Sequence, residues 1–195
     1  MSDSEPFRQP PLTITLPDWV RGHVQDAAPC VSERDRMHLA IELSRLNVVH
    51  GTGGPFGAAV FEQGGARPLA VGVNRVEPLA NACAHAELVA LMAAQARAGS
   101  YTLRQAGAPA RELFTSCAPC AMCLGAALWS GVTRIVCGAT RDDALALGFD
   151  EGPVFDVSWR YLEARGIDVV HGILARDARA VLEAYVARGG LIYNA

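Results

Sequence analysis

The sequence predicts an α/β fold in three layers, α/β/α, with a central mixed sheet of about five strands covered by helices on both faces. Three observations predict it. Short apolar runs alternate with longer helical patterns, which implies one sheet buried between helices. Helical segments separate the last two strands and let them run parallel. The 195 residues, 51% of them hydrophobic and 19% charged, suffice for one sizeable core and are few for two. No repeat or linker splits the chain, so residues 31–195 read as one domain behind an N-terminal arm of residues 1–30.

The arm is rich in Pro and polar residues and reads as loose or docked. Ser32 can cap a helix from Glu33 to about His50, whose apolar positions Met37, Ala40, Ile41 and Leu43 recur near helical spacing. Gly51 ends it, and residues 51–57 form a Gly- and Pro-punctuated loop. Two short strands follow, Ala58–Phe61 and Leu69–Val73, separated by Gly64 and Gly65. Asn81 can cap a helix from about Ala82 to Ala98, with Gly99 as its stop. Glu112–Ser116 is a strand, and Pro119 suits the first turn of a helix running to about Trp129. Arg134–Gly138 is a strand, Arg141–Leu147 and Ser158–Arg165 are short helices, and Ile167–His171 is the last strand. Ala175–Arg188 closes the chain as an amphipathic helix with Ala178, Val181, Leu182 and Tyr185 on one face.

Composition excludes several function classes. The formal net charge is −3, without the basic surplus a polyanion-wrapping protein carries, so no nucleic-acid partner is expected. Charges, Gly or Pro break every apolar run before the length of a membrane span. The opening residues lack the layout of a secretory signal, so a cytoplasmic location is expected. The six cysteines stand at 30, 83, 117, 120, 123 and 137. Three fall within seven positions, a clustering that points to metal or redox chemistry instead of a disulfide framework.

Two motifs carry the chemistry: His85-Ala86-Glu87 and, further on, Pro119-Cys120-Ala121-Met122-Cys123. Catalytic zinc takes three nitrogen or sulfur ligands and keeps its fourth position for water. His85, Cys120 and Cys123 make such a set. Both groups stand where helices are predicted to begin, and a helix N-terminus favours a thiolate. Glu87 follows the imidazole by two residues, placed to move a proton between water and a leaving nitrogen. The parts suit hydrolysis at an electron-poor carbon with ammonia as leaving group, and the pattern matches the general signature of zinc deaminases. The competing reading is a closed structural zinc site, with Cys117 or Cys83 as fourth ligand and no catalysis. His50 and His171 are read as surface or satisfied polar residues, and Arg134, Arg141, Asp142 and Asp143 as surface charge.

On these residues the chain resembles the cytidine-deaminase-like superfamily and, within it, the bacterial guanine deaminases. The resemblance extends to Gly53-Gly54-Pro55-Phe56-Gly57, to Val73-Asn74, to residues 115–125 and to Gly148-Phe149-Asp150-Glu151-Gly152-Pro153. It covers roughly residues 32–195, including the ending Ile192-Tyr193-Asn194. It implies the cytidine-deaminase-like fold and Zn2+ held by His85, Cys120 and Cys123, with Glu87 as proton shuttle. It also implies that Asn74 hydrogen-bonds the base, that Phe56 stacks on it, and that Phe149 and Glu151 close over it, with Trp129 near the pocket. Asp150 is the alternative holder of the role given to Glu151. The implied reaction converts a free purine base, guanine, to xanthine and ammonia, with aminotriazines such as ammeline as side substrates. The implied assembly is a homodimer. Adenosine deamination on tRNA and cytosine deamination share the zinc core and are the alternatives.

Overall fold

The structure, a computed structural model, describes residues 9–192. Tyr193 and Asn194 of the expected C-terminal ending lie outside the described residues. Five strands form one mixed sheet in the order β2-β1-β3-β4-β5. They are β1 Gly57–Glu62, β2 Pro68–Val73, β3 Arg111–Cys117, β4 Arg134–Ala139 and β5 Asp168–Val170. β1 runs antiparallel to both β2 and β3, whereas β3, β4 and β5 are parallel.

Side-chain alternation along the strands explains the layers. Ala58 and Val60 of β1 point into one core with α3 (Ala86–Ala98), α4 (Ala121–Ser130) and α6 (Asp156–Ala164). Ala59 and Phe61 point into the other, with α2 (Glu33–Val49), α5 (Arg141–Leu145) and α7 (Ala175–Ala187). The three-layer α/β/α expectation is met, with Phe61 and Phe114 packed edge to face at 5.6 Å in the second core.

Two differences from the sequence reading matter for the site. First, the arm contains a helix, α1 (Asp18–Asp26), whose Val20 is buried. Its N-cap is Pro17, which makes no side-chain cap bond, so the usual start signal is absent. Second, the helix expected from Ala82 begins at Ala86. Asn81 accepts from the Cys83 backbone N–H at 2.9 Å, which closes a local turn and leaves His85 as the N-cap.

Sequence-coded close approach positions α3. A Cβ on Gly72 of β2 would lie 2.2 Å from the Ala86 carbonyl oxygen and 2.6 Å from the Ala90 nitrogen. Only glycine lets the first turn of α3, with His85 and Glu87, lie this near the sheet.

Candidate active site

The site forms beyond the carboxyl end of β3, where α3 and α4 begin side by side. His85 and Cys120 are the N-caps of these helices, and neither makes a side-chain cap bond. The Nδ1 atom of His85 lies 3.6 Å from Cys120 Sγ and 3.5 Å from Cys123 Sγ. Zinc bonds of about 2.3 Å to sulfur and about 2.1 Å to nitrogen, at a tetrahedral angle, separate nitrogen from sulfur by about 3.6 Å. The three donor atoms therefore stand at the spacing zinc requires, and they form the metal-compatible cluster among the described residues. The closed-site alternative fails here. Cys117 turns its sulfur to the Thr140 carbonyl oxygen at 3.8 Å, and Cys83 is exposed; neither joins the cluster.

The electrostatics are those of a cation site. The Cys120 thiol is pushed down to about 4 by its hydrogen bond with Cys123, with further help from His85. Cys123 moves the opposite way because of that same bond, so the two sulfurs share one proton. A divalent cation between them would displace it. Glu87 is 6% exposed, and burial, aided by the Cys120 charge, pushes its carboxyl up to about 7.

A cavity opens over these groups. His85, Glu87, Cys120, Phe56, Phe149, Asp150 and Glu151 line it. The Phe56 and Phe149 rings meet edge to face at 5.1 Å. The cavity measures only about 20 Å³, room for about one water. It adjoins a more open one of about 330 Å³ that shares His85, Cys120, Asp150 and Glu151. Residues 149–151 line the smaller cavity, and the two acids among them line both. Gly148 and Gly152 flank that segment at φ +93° and +66°, a region open mainly to glycine.

The neighbouring acids Asp150 and Glu151 both line the cavity and differ in burial. Asp150 is exposed, and its carboxylate accepts from the Gly152 backbone N–H at 2.8 Å. Glu151 is 7% exposed, and burial, with the charges of Cys120 and Glu87, pushes its carboxyl up to about 8. Its carbonyl oxygen accepts from the Ala121 N–H at 3.0 Å, tying the segment to the start of α4.

Asn74 and Trp129 stand outside the cavity lining. Asn74 is buried, and its Oδ1 accepts from the Gly54 and Val76 backbone N–H groups, each at 3.3 Å. Trp129 is not brought to this cavity: it is 72% exposed near the far end of α4. Nine residues of helix carry it about 13 Å from Cys120. Arg141, read as surface charge, is half-buried and donates to the Gly152 carbonyl at 3.2 Å. Asn47 went unremarked in the sequence, yet it is wholly buried and bonds the Phe56 loop. Its signal was a polar residue on the buried stripe of α2, three residues after Ser44 and four after Leu43.

A family model described as the cytidine and deoxycytidylate deaminase zinc-binding region matches residues 31–139. The chain belongs to this deaminase family. The deaminase is 36% identical over 116 residues to the guanine deaminase of Bacillus subtilis, a stretch covering 60% of this chain and 70% of that protein. It is 42% identical to a solved guanine deaminase from Nitrosomonas europaea, covering 93% of this chain and 100% of that one with a TM-score of 0.86. It is 44% identical to a crystal structure of NE0047 in complex with 2,6-diaminopurine, covering 93% and 96% of the two chains, again with a TM-score of 0.86.

Proposed function

We propose that the chain is a guanine deaminase, converting guanine and water to xanthine and ammonia. The observation that carries the substrate assignment is Glu151: a second buried carboxylate set over the metal-compatible cluster and flanked by Phe56 and Phe149. Guanine presents ring N–H and amino donors along one edge, and a carboxyl oxygen can accept from it. The similarity to solved guanine deaminases supports the same reading.

His85, Cys120 and Cys123 would hold zinc, which when bound supplies Lewis-acid activation of water at neutral pH. Glu87 does the proton work. Its carboxylate takes a proton from the attacking water and later delivers it to the exocyclic nitrogen. The carbon–oxygen bond forms, the carbon–nitrogen bond breaks, and ammonia leaves. Burial raises the Glu87 carboxyl above the ordinary carboxylate range, which favours its taking up a proton. Phe56 would stack on the ring, Phe149 would cover it, and Asn74 would bond the base's carbonyl or ring edge. Aminotriazines such as ammeline share the donor edge and would be side substrates.

We infer a homodimer as the working assembly. Exposed apolar side chains on one layer, Trp129 on α4 and Phe155, Val157 and Tyr161 at α6, support it. No helix among the described residues is long and apolar enough to cross a membrane, and a cytoplasmic location fits a free-base substrate.

The test is ammonia release by purified protein offered guanine, guanosine, adenine, cytosine and aminotriazines. Guanine should give the highest kcat/KM. Preference for adenine or cytosine would overturn the substrate assignment, and activity confined to a nucleoside would overturn the free-base reading.

A further inference from the structure

The arm is bonded to the loop that carries Phe56. Trp19 of α1 donates from its indole Nε1 to Thr52 Oγ1 at 3.1 Å. The Thr52 hydroxyl donates onward to Asn47 Oδ1 at 2.8 Å. Asn47 Nδ2 then donates to the Gly54 carbonyl at 2.8 Å and to the Asn74 carbonyl at 2.9 Å. The direction of every bond in this relay is fixed by its ends. An indole nitrogen can only donate, and two backbone carbonyls can only accept, so the hydroxyl and the amide are oriented from both ends. A second route runs beside the first: the Arg75 guanidinium donates to the Thr15 carbonyl at 3.2 Å and to the Thr52 carbonyl. Trp19 also stacks on His50 at 5.2 Å. The fit where the two site segments meet is tight. A Cβ on Gly53 would lie 2.0 Å from the Asn74 carbonyl oxygen and 2.8 Å from Asn47 Nδ2.

We propose that Trp19, Thr52 and Asn47 are positioning residues for the base pocket, so that the N-terminal arm is a working part of the active site. The inference rests on the proposed base contacts of Phe56 and Asn74. The relay ends on Gly54, two residues before Phe56, and on Asn74 itself. None of the three residues reaches the metal-compatible cluster. Breaking the relay should loosen the grip on the base and leave the proton chemistry of Glu87 in place.

The test uses Trp19→Phe, which keeps a ring against His50 but loses the indole N–H, together with Thr52→Val and Thr52→Ser. Thr52→Val removes the hydroxyl with little change of shape; Thr52→Ser restores it. Backbone amide exchange is read over residues 52–57 and 74–76, with residues 86–90 as control, alongside kinetics on guanine and zinc content. Trp19→Phe and Thr52→Val should speed exchange in the first two segments only. They should raise KM roughly fivefold, the worth of one neutral hydrogen bond, with kcat and zinc content held. Thr52→Ser should match the parent. Unchanged exchange in Thr52→Val would overturn the proposal, as would faster exchange with unchanged KM, because the relay would then serve folding alone. Failure of the parent to act on guanine would overturn the proposed substrate, and the exchange pattern would still decide whether the arm holds the loop.

Discussion

Glu87 and Glu151 are both buried near Cys120, 6% and 7% exposed, and burial pushes them up to about 7 and about 8. Their surroundings differ in ways that separate their tasks. Glu87 sits one residue into α3, two from the candidate ligand His85. Glu151 sits on a segment tied down by the Ala121 N–H and the Arg141 guanidinium. A residue of the first kind suits water chemistry, and one of the second suits holding a substrate edge. Glu151→Gln should therefore lower kcat/KM on guanine on the order of 100-fold, with melting temperature held, because a carboxyl pushed up to about 8 is already mostly uncharged at pH 7. Steady-state kinetics beside a thermal melt check it; unchanged kinetics would remove Glu151 from the site. The sequence distinguished the metal-type residues well, because imidazole and thiolates at this spacing have few other uses. It could not separate Asp150 from Glu151, since adjacent acids differ only in which one the fold buries.

At the scale of elements, α3 and α4 both begin with a residue unsuited to capping. A helix start normally spends a Ser, Thr, Asp or Asn on its free N–H groups; here His85 and Cys120 occupy those positions. Asn81, the better cap by composition, therefore draws the expected start of α3 upstream of the observed one. The start is held instead by packing on Gly72. Gly72→Ala should destabilise by roughly 1–3 kcal/mol and lower zinc retention, which a thermal melt and metal analysis would show. A melt like the parent's would mean that the sheet yields. By contrast, α2 starts conventionally: Ser32 Oγ accepts from the Asp35 N–H at 3.1 Å, and Asp35 accepts from the Ser32 N–H at 2.8 Å. These bonds hold the Asp35 carboxyl below its ordinary 3.8. A depressed carboxyl contributes stability that is present above the unfolded value and lost as pH falls through the folded one. Asp35→Asn should thus melt below the parent at pH 7, with the gap closing toward pH 3. A gap independent of pH would contradict the electrostatic account.

On the scale of the molecule, alternation of strands and helices was enough to read three layers and a five-stranded sheet, because burying both sheet faces leaves few arrangements. What the alternation could not reveal was which distant segments touch. The docking of the arm depends on Trp19 finding Thr52, 33 positions away. The exposure of Trp129 depends on helix length and direction. Neither leaves a local pattern. The parallel strands β3 and β4 end where α4 starts, and the crevice beyond such carboxyl ends is where open α/β sheets place ligands. The whole fold thus serves to bring two helix starts and two carboxylates together from three separate stretches of chain. On the proposed reading, this assembly performs hydrolytic deamination through Glu87 beside a metal held by His85, Cys120 and Cys123. Ammonia release and zinc content of Glu87→Gln, measured together against the parent, test it most directly. The claim predicts unchanged zinc with ammonia release lost; parent-like release from a zinc-loaded variant would contradict it.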